Sequence, residues 1–167
     1  MRSLILVLLP FLALYLQSTF FRTISIWGVV PDLLLILVIF YAVFSGSNKG
    51  AVYGAACGLW EDLYLGRIIG VNAICKGLTA FILGRMQGRV FKDNVLVGVI
   101  GVLAGTAINS LLLLSISFLT MPGFSLDRAL WADVLLQGIY NVIISVPLYI
   151  GYVRSLGAGV LQEGLIR

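Results

Sequence analysis

Apolar residues fill this chain in six long runs, with polar and glycine-rich positions gathered in the short stretches between them. The runs cover 3–21, 31–45, 50–65, 69–85, 95–119 and 134–153. None shows the strict alternation of a half-buried strand, and each is long enough for several helical turns. Gly28 and Pro31 precede the second run, and Met121-Pro122-Gly123 follow the fifth, so turn chemistry bounds both. The third and fourth runs are shorter and carry charges well inside their ends. They are expected as two full spans, because about sixteen helical residues reach ~24 Å, close to the hydrocarbon thickness. A re-entrant hairpin over 50–85 is the alternative. The first run follows Arg2, and no small-x-small cleavage site comes after it, so it is expected to be a retained helix and not a secretory signal. Pro10 and Pro147 are potential kinks.

Composition turns this pattern into a fold class. Of 167 residues, 60% are hydrophobic and 11% charged, less than half the charged share of a soluble domain. The mean hydropathy of +1.09 points the same way. A soluble domain, a disordered chain, a coiled coil and a disulfide scaffold are all excluded. The expectation is an all-α integral membrane protein, a six-helix transmembrane bundle. The net charge of +4 changes the picture only through its distribution. Arg2, Lys49, Arg85, Arg89, Lys92, Arg154 and Arg167 fall on one side, against Arg22, Arg67 and Arg128 on the other. The positive-inside rule then puts both termini in the cytoplasm, and no nucleic-acid partner is implied. Trp27 and Trp131 fall at the outer boundary, where indoles prefer to sit. In the connection 120–133, Leu126, Leu130 and Trp131 alternate with Asp127, Arg128 and Asp133 behind a Ser125 N-cap. This spacing predicts a short interfacial helix on the outer surface, leading into the last span.

The polar residues lie in rows at i, i+4. One row runs Gly46, Gly50, Gly54, Gly58, Asp62, and the next run carries Asn72, Lys76, Ala80, Gly84, Gly88. In lipid, small residues that admit close backbone approach and polar groups that pair across the contact hold helices together. Folding these two runs about a turn near 66–68 predicts a buried Asp62–Lys76 ion pair, with Glu61 turned toward the outer interface. The fifth run carries Gly101, Gly105 and Asn109 in one row, and the sixth carries Asp133, Gln137, Asn141, Ser145 and Tyr149. The first two runs are aliphatic and are expected to form a wall facing lipid or a partner. The polar rows read as interhelical packing, with a small-molecule cavity as the alternative. A catalytic, metal or cofactor site is not expected. The chain has no histidine, Asp62 has no second mid-membrane aspartate, and Cys57 and Cys75 sit in apolar segments as packing residues.

Pro31-Asp32-Leu33-Leu34, the segment from Gly54 to Leu63 with Gly58 and Asp62, and then Gly66 and Gly70-Val71-Asn72-Ala73 resemble the rod shape-determining MreD family over about residues 31–88. The resemblance implies a non-enzymatic membrane subunit of the bacterial cell-elongation machinery in the inner membrane. It would bind MreC and, with it, influence the RodA glycosyltransferase and its penicillin-binding transpeptidase partner. The family is also similar in architecture to the six-helix S components of energy-coupling-factor vitamin transporters, which makes a substrate-binding S component the alternative function. MreC-like proteins have one transmembrane helix and a large external domain. The resemblance therefore implies contacts from the first helix and, outside the membrane, from Phe124, Leu130 and Trp131.

Overall fold

The computed structural model describes residues 2–25, 27–66, 68–86, 95–120 and 127–157, with the backbone alone at 2–5, 95, 97 and 152–157. These residues form six helices: α1 (Arg2–Thr23), α2 (Leu33–Ser45), α3 (Ser47–Leu65), α4 (Val71–Gly84), α5 (Val95–Thr120) and α6 (Arg128–Gly157). Three of them hold stretches long and apolar enough to cross a membrane, Leu6–Thr23, Gly98–Thr120 and Arg128–Gly151. At 13 and 14 residues, α2 and α4 reach only ~20 Å.

Local chemistry sets the boundaries. Asp32 caps α2, its side chain accepting a hydrogen bond from the Leu35 amide at 2.8 Å. Gly46 ends α2 and starts α3 by itself, at φ 90°, a conformation that costs a residue with a Cβ. Gly66 closes α3 in the left-handed region, donating its amide to the Asp62 carbonyl.

The tightest contact is antiparallel α3 on α4. A Cβ at Gly58 would collide with the Asn72 backbone, one at Gly54 would lie 2.7 Å from the Lys76 carbonyl oxygen, and one at Gly84 would lie 2.6 Å from Ser47 Cα. Gly50 occupies the wedge between α2 and α4, where a Cβ would lie 2.5 Å from the Ala42 methyl. Buried Ala80 packs in the same seam. The register is constant: Gly58 is level with Asn72, Gly54 with Lys76, and Gly50 with Ala80. Gly105 of α5 approaches Ile39 and Leu83, while Gly101 is buried on the same helix.

Two expectations change here. First, the two aliphatic helices do not form one wall. α2 is the central helix, with Leu34, Ile36, Val38, Ile39 and Ala42 fully buried, whereas α1 exposes Val7, Leu8, Leu12 and Tyr15. A helix apolar all round suits a core and a lipid face equally, so hydropathy does not separate the two. α1 is held to α3 by side chains: Tyr53 donates to the Leu6 carbonyl at 3.0 Å, Tyr64 to Ser18 Oγ at 3.0 Å, and Phe11 packs on Trp60. Second, Leu130, Trp131 and Asp133 belong to the first turns of α6, a continuous helix of 30 residues, and not to a separate interfacial helix. Nothing between Arg128 and Gln137 breaks helical geometry, so the last span simply begins earlier. Phe124, Ser125 and Leu126 lie outside the described residues. Both prolines are accommodated within their helices.

Candidate functional site

The polar residues of α3 and α4 do not pair as their spacing suggests. Because Lys76 is level with Gly54, Asp62 lies about eight residues, or ~12 Å, farther along α3. That places it beyond the start of α4. There its Oδ2 accepts from the Gly70 and Ala73 amides at 2.9 and 3.3 Å, and its Oδ1 from the Asn72 amide and side-chain Nδ2 at 3.2 and 2.8 Å. A helix N-terminus has unpaired N–H groups and a favourable dipole, so it holds this buried carboxylate with no ion pair among the described residues. The expected Asp62–Lys76 pair is thus replaced by a cap.

Lys76 is fully buried and reaches the other way. Its Nζ lies 2.5 Å from Asp32 Oδ2 and 2.9 Å from Glu61 Oε2. Glu61, expected at the outer interface, is 4% exposed and turned into this contact. Its longer side chain spans the gap that Asp62 cannot. One ammonium therefore ties α2, α3 and α4 together.

The first residues of α2 and those just before it collect bonds from the rest of the bundle. The Asp32 amide donates to Asn141 Oδ1 of α6 at 2.8 Å, and Asn141 Nδ2 donates to Thr106 Oγ1 of α5 at 3.0 Å. The Leu33 amide donates to Gln17 Oε1 of α1 at 3.2 Å, and Gln137 Nε2 of α6 donates to the Val30 carbonyl at 3.4 Å. Pro31-Asp32 is thus the point where all six helices are joined, directly or through one side chain. The Asp32–Lys76 link was missed from the sequence. The available signal was an N-capping aspartate opening a wholly aliphatic helix, a charge that needs a partner if that helix is central.

Other predicted positions are more ordinary. Ser145 is buried and donates to the Val142 carbonyl at 2.7 Å, and Tyr149 packs edge-on against Phe40. Asn109 Oδ1 and Thr79 Oγ1 are buried and have no hydrogen-bond partner among the described residues.

Above the Asp32–Glu61 pair lies a cleft of about 1200 Å³ between α1, α5 and α6. It opens at the end of the bundle where α1, α3 and α5 finish. Asp32, Glu61 and Asn72 lie at its base, Gln17 and Gln137 on its sides, and Arg22 and Asp133 nearer the surface. Leu130 also lines it, whereas Trp131 is exposed beside a second, apolar groove with Phe118 and Leu119.

No curated protein and no solved structure matches this chain. The family described as rod shape-determining protein MreD matches residues 1–156, well beyond the motif-bearing stretch and over every helix. With the Pro31-Asp32 hub and the glycine-lined α3–α4 seam falling inside that match, the chain belongs to the MreD family.

Proposed function

We propose that this chain is a non-enzymatic scaffold of the cell-elongation complex, binding MreC and through it modulating RodA and its penicillin-binding transpeptidase partner. The family supplies the role in rod-shape determination. The rest is inferred from how the helices are used. In this reading the protein is multi-pass in the inner membrane with both termini cytoplasmic, and α2–α4 complete the spanning bundle inside α1, α5 and α6. The cleft then opens on the outer side.

The observation that carries the scaffold reading is the division of labour between α1 and α2. α2 and its charged hub make a rigid centre, while α1 keeps a continuous apolar face, including Val7, Leu8, Leu12 and Tyr15, turned outward. A single transmembrane helix of a partner would pack on such a face. Trp131, at the head of α6, is the described aromatic best placed for a partner's external domain. Glu61 and Lys76 are engaged with each other and Asp32 is also a helix cap, so the site's ionisable groups serve structure and supply no free nucleophile or base.

Photo-cross-linking from Leu8, Leu12 and Trp131 in cells that express MreC tests this. Adducts from both regions are expected. Adducts only from α4 and α6 would move the docking surface to the polar-faced helices. The cleft favours a second reading, an S component of a vitamin transporter. Copurification decides between them: MreC for the scaffold, a stoichiometric vitamin for the transporter.

A further inference from the structure

We infer that the α3–α4 turn stops inside the membrane, its tip covered by the acyl chains of one leaflet and not by water. The inference rests on α1, α5 and α6 being transmembrane, and it is independent of MreC binding. Depth is the first observation. Three contacts fix the level of α1 against the parallel α3: Leu6 with Tyr53, Phe11 with Trp60, and Ser18 with Tyr64. They put Leu65, the last residue of α3, about level with Ser18 and Thr19. α1 then runs on to Thr23, the end of its apolar stretch, a further ~6–7 Å at the helical rise. On the other side, Leu83 of α4 meets Gly105 of α5. Counting back along α4 and forward along the antiparallel α5 brings Val71 level with Ser117, ~4.5 Å short of Thr120. The hairpin is thus lower than both apolar helices.

The second observation is how the turn spends its backbone. The first amides of a helix are normally left to water or to a cap. Here every amide from Gly70 to Ile74 has an acceptor inside the protein. Asp62 takes those of Gly70, Asn72 and Ala73, the Ile68 carbonyl takes that of Val71, and the Gly70 carbonyl takes that of Ile74. Gly66, at the other side of the turn, donates to the Asp62 carbonyl. Hydrocarbon demands such internal satisfaction, because no water is present to supply it. The buried carboxylate of Asp62 is what lets a helix start below the membrane surface.

The third is the tip itself. Leu63, Leu65, Ile68 and Ile69 are 44–65% exposed. Turns that face water are built mainly of Gly, Pro, Asn, Asp and Ser, and a cluster of exposed aliphatic side chains calls for an apolar cover. Lipid is that cover, since the cluster continues the exposed stripe Ile74, Leu78 and Ile82 along α4, the face that a transmembrane bundle turns to acyl chains. Arg67, between these residues in sequence, lies outside the described residues. An arginine near a helix end reaches the headgroups from such a depth by extending its stem.

Spin-label accessibility tests this on the full chain in phosphatidylcholine nanodiscs, with Cys57 and Cys75 changed to alanine. Single labels at Ile69→Cys and, separately, Ile68→Cys report the tip. Ile139→Cys reports the exposed apolar face of α6, and Arg128→Cys reports water. Collision with a water-soluble nickel chelate should be about tenfold lower at either tip position than at Arg128→Cys, because hydrocarbon excludes a polar solute. Collision with oxygen, which concentrates in hydrocarbon, should rise toward the Ile139→Cys level. Asp62→Ala frees three amides, so nickel access at Ile69→Cys should increase severalfold while Ile139→Cys stays unchanged. Should that variant fold poorly, the two tip labels on the parent chain decide alone. Nickel access at both tip positions equal to that at Arg128→Cys would overturn the inference. Nickel access at Ile139→Cys as high as at Arg128→Cys would remove the transmembrane reading of α6, and the inference with it.

Discussion

Lys76 Nζ sits 2.5 Å from Asp32 Oδ2, a contact between α4 and the first residue before α2 that crosses 44 positions of sequence. It makes the capping residue of the central helix also the anion of a buried ion pair. The same carboxylate holds the α2 N-terminus on Oδ1 and the α4 lysine on Oδ2, so the start of α2 and the middle of α4 cannot move independently.

Removing Lys76 strands two carboxylates, whereas removing Asp32 leaves Lys76 with Glu61. Lys76→Ala is therefore expected to cost about 3–5 kcal/mol, more than Asp32→Ala, because uncompensated buried charge is left behind. In thermal unfolding of the reconstituted protein, a double-mutant cycle should show coupling of about 1–3 kcal/mol for Asp32/Lys76 and much less for Asp62/Lys76. Equal coupling in the two cycles would contradict the observed pairing.

Asp62 acts as a helix cap, so its charge matters less than its acceptor atoms. Asp62→Asn should retain most of the stability, and Asp62→Ala should lose about 1–2 kcal/mol. Hydrogen exchange gives the local readout: the amides of Gly70, Asn72 and Ala73 should exchange faster in Asp62→Ala while those of α2 stay protected. Uniform loss of protection across all helices would argue for a different role.

The glycine seam makes a steric prediction. Gly58→Ala places a methyl into the Asn72 backbone, which cannot yield without parting α3 from α4, and about 1–3 kcal/mol of destabilisation should follow. Gly138→Ala is the matched control. Its nearest neighbour would be 3.9 Å away, so the substitution should be neutral or slightly stabilising through helix propensity. Comparable unfolding temperatures for the two variants would show that the seam is looser than its geometry indicates.

Orientation can be read from single cysteines placed after Cys57 and Cys75 are changed to alanine. Trp27→Cys, at a position 84% exposed, and Arg128→Cys should react with a membrane-impermeant maleimide from outside intact cells, and Lys49→Cys should react only after permeabilisation. The reverse pattern would invert the bundle and place the cleft on the cytoplasmic side.

The sequence by itself determined the helical class, the number of helices and the small-residue faces. Those properties are local: apolar runs, Gly28 and Pro31 at an entry, and Gly spaced at four along 46–58 act within a few turns of their own chain. The partner of Lys76 was decided only in three dimensions. Spacing along α3 and α4 put Asp62 within reach, but the actual level of the two helices is set by how closely Gly50, Gly54 and Gly58 let their backbones approach. That packing slides Asp62 past the end of α4, where free amides hold it, and leaves Lys76 to Asp32 and Glu61. The burial of α2 and the exposure of α1 were likewise tertiary decisions. Both are aliphatic, and lipid and protein interior are nearly equivalent solvents for such side chains. What draws α2 to the centre is the set of polar bonds at and just before its start, from Asn141, Gln17, Gln137 and Lys76, and those partners come from three different helices.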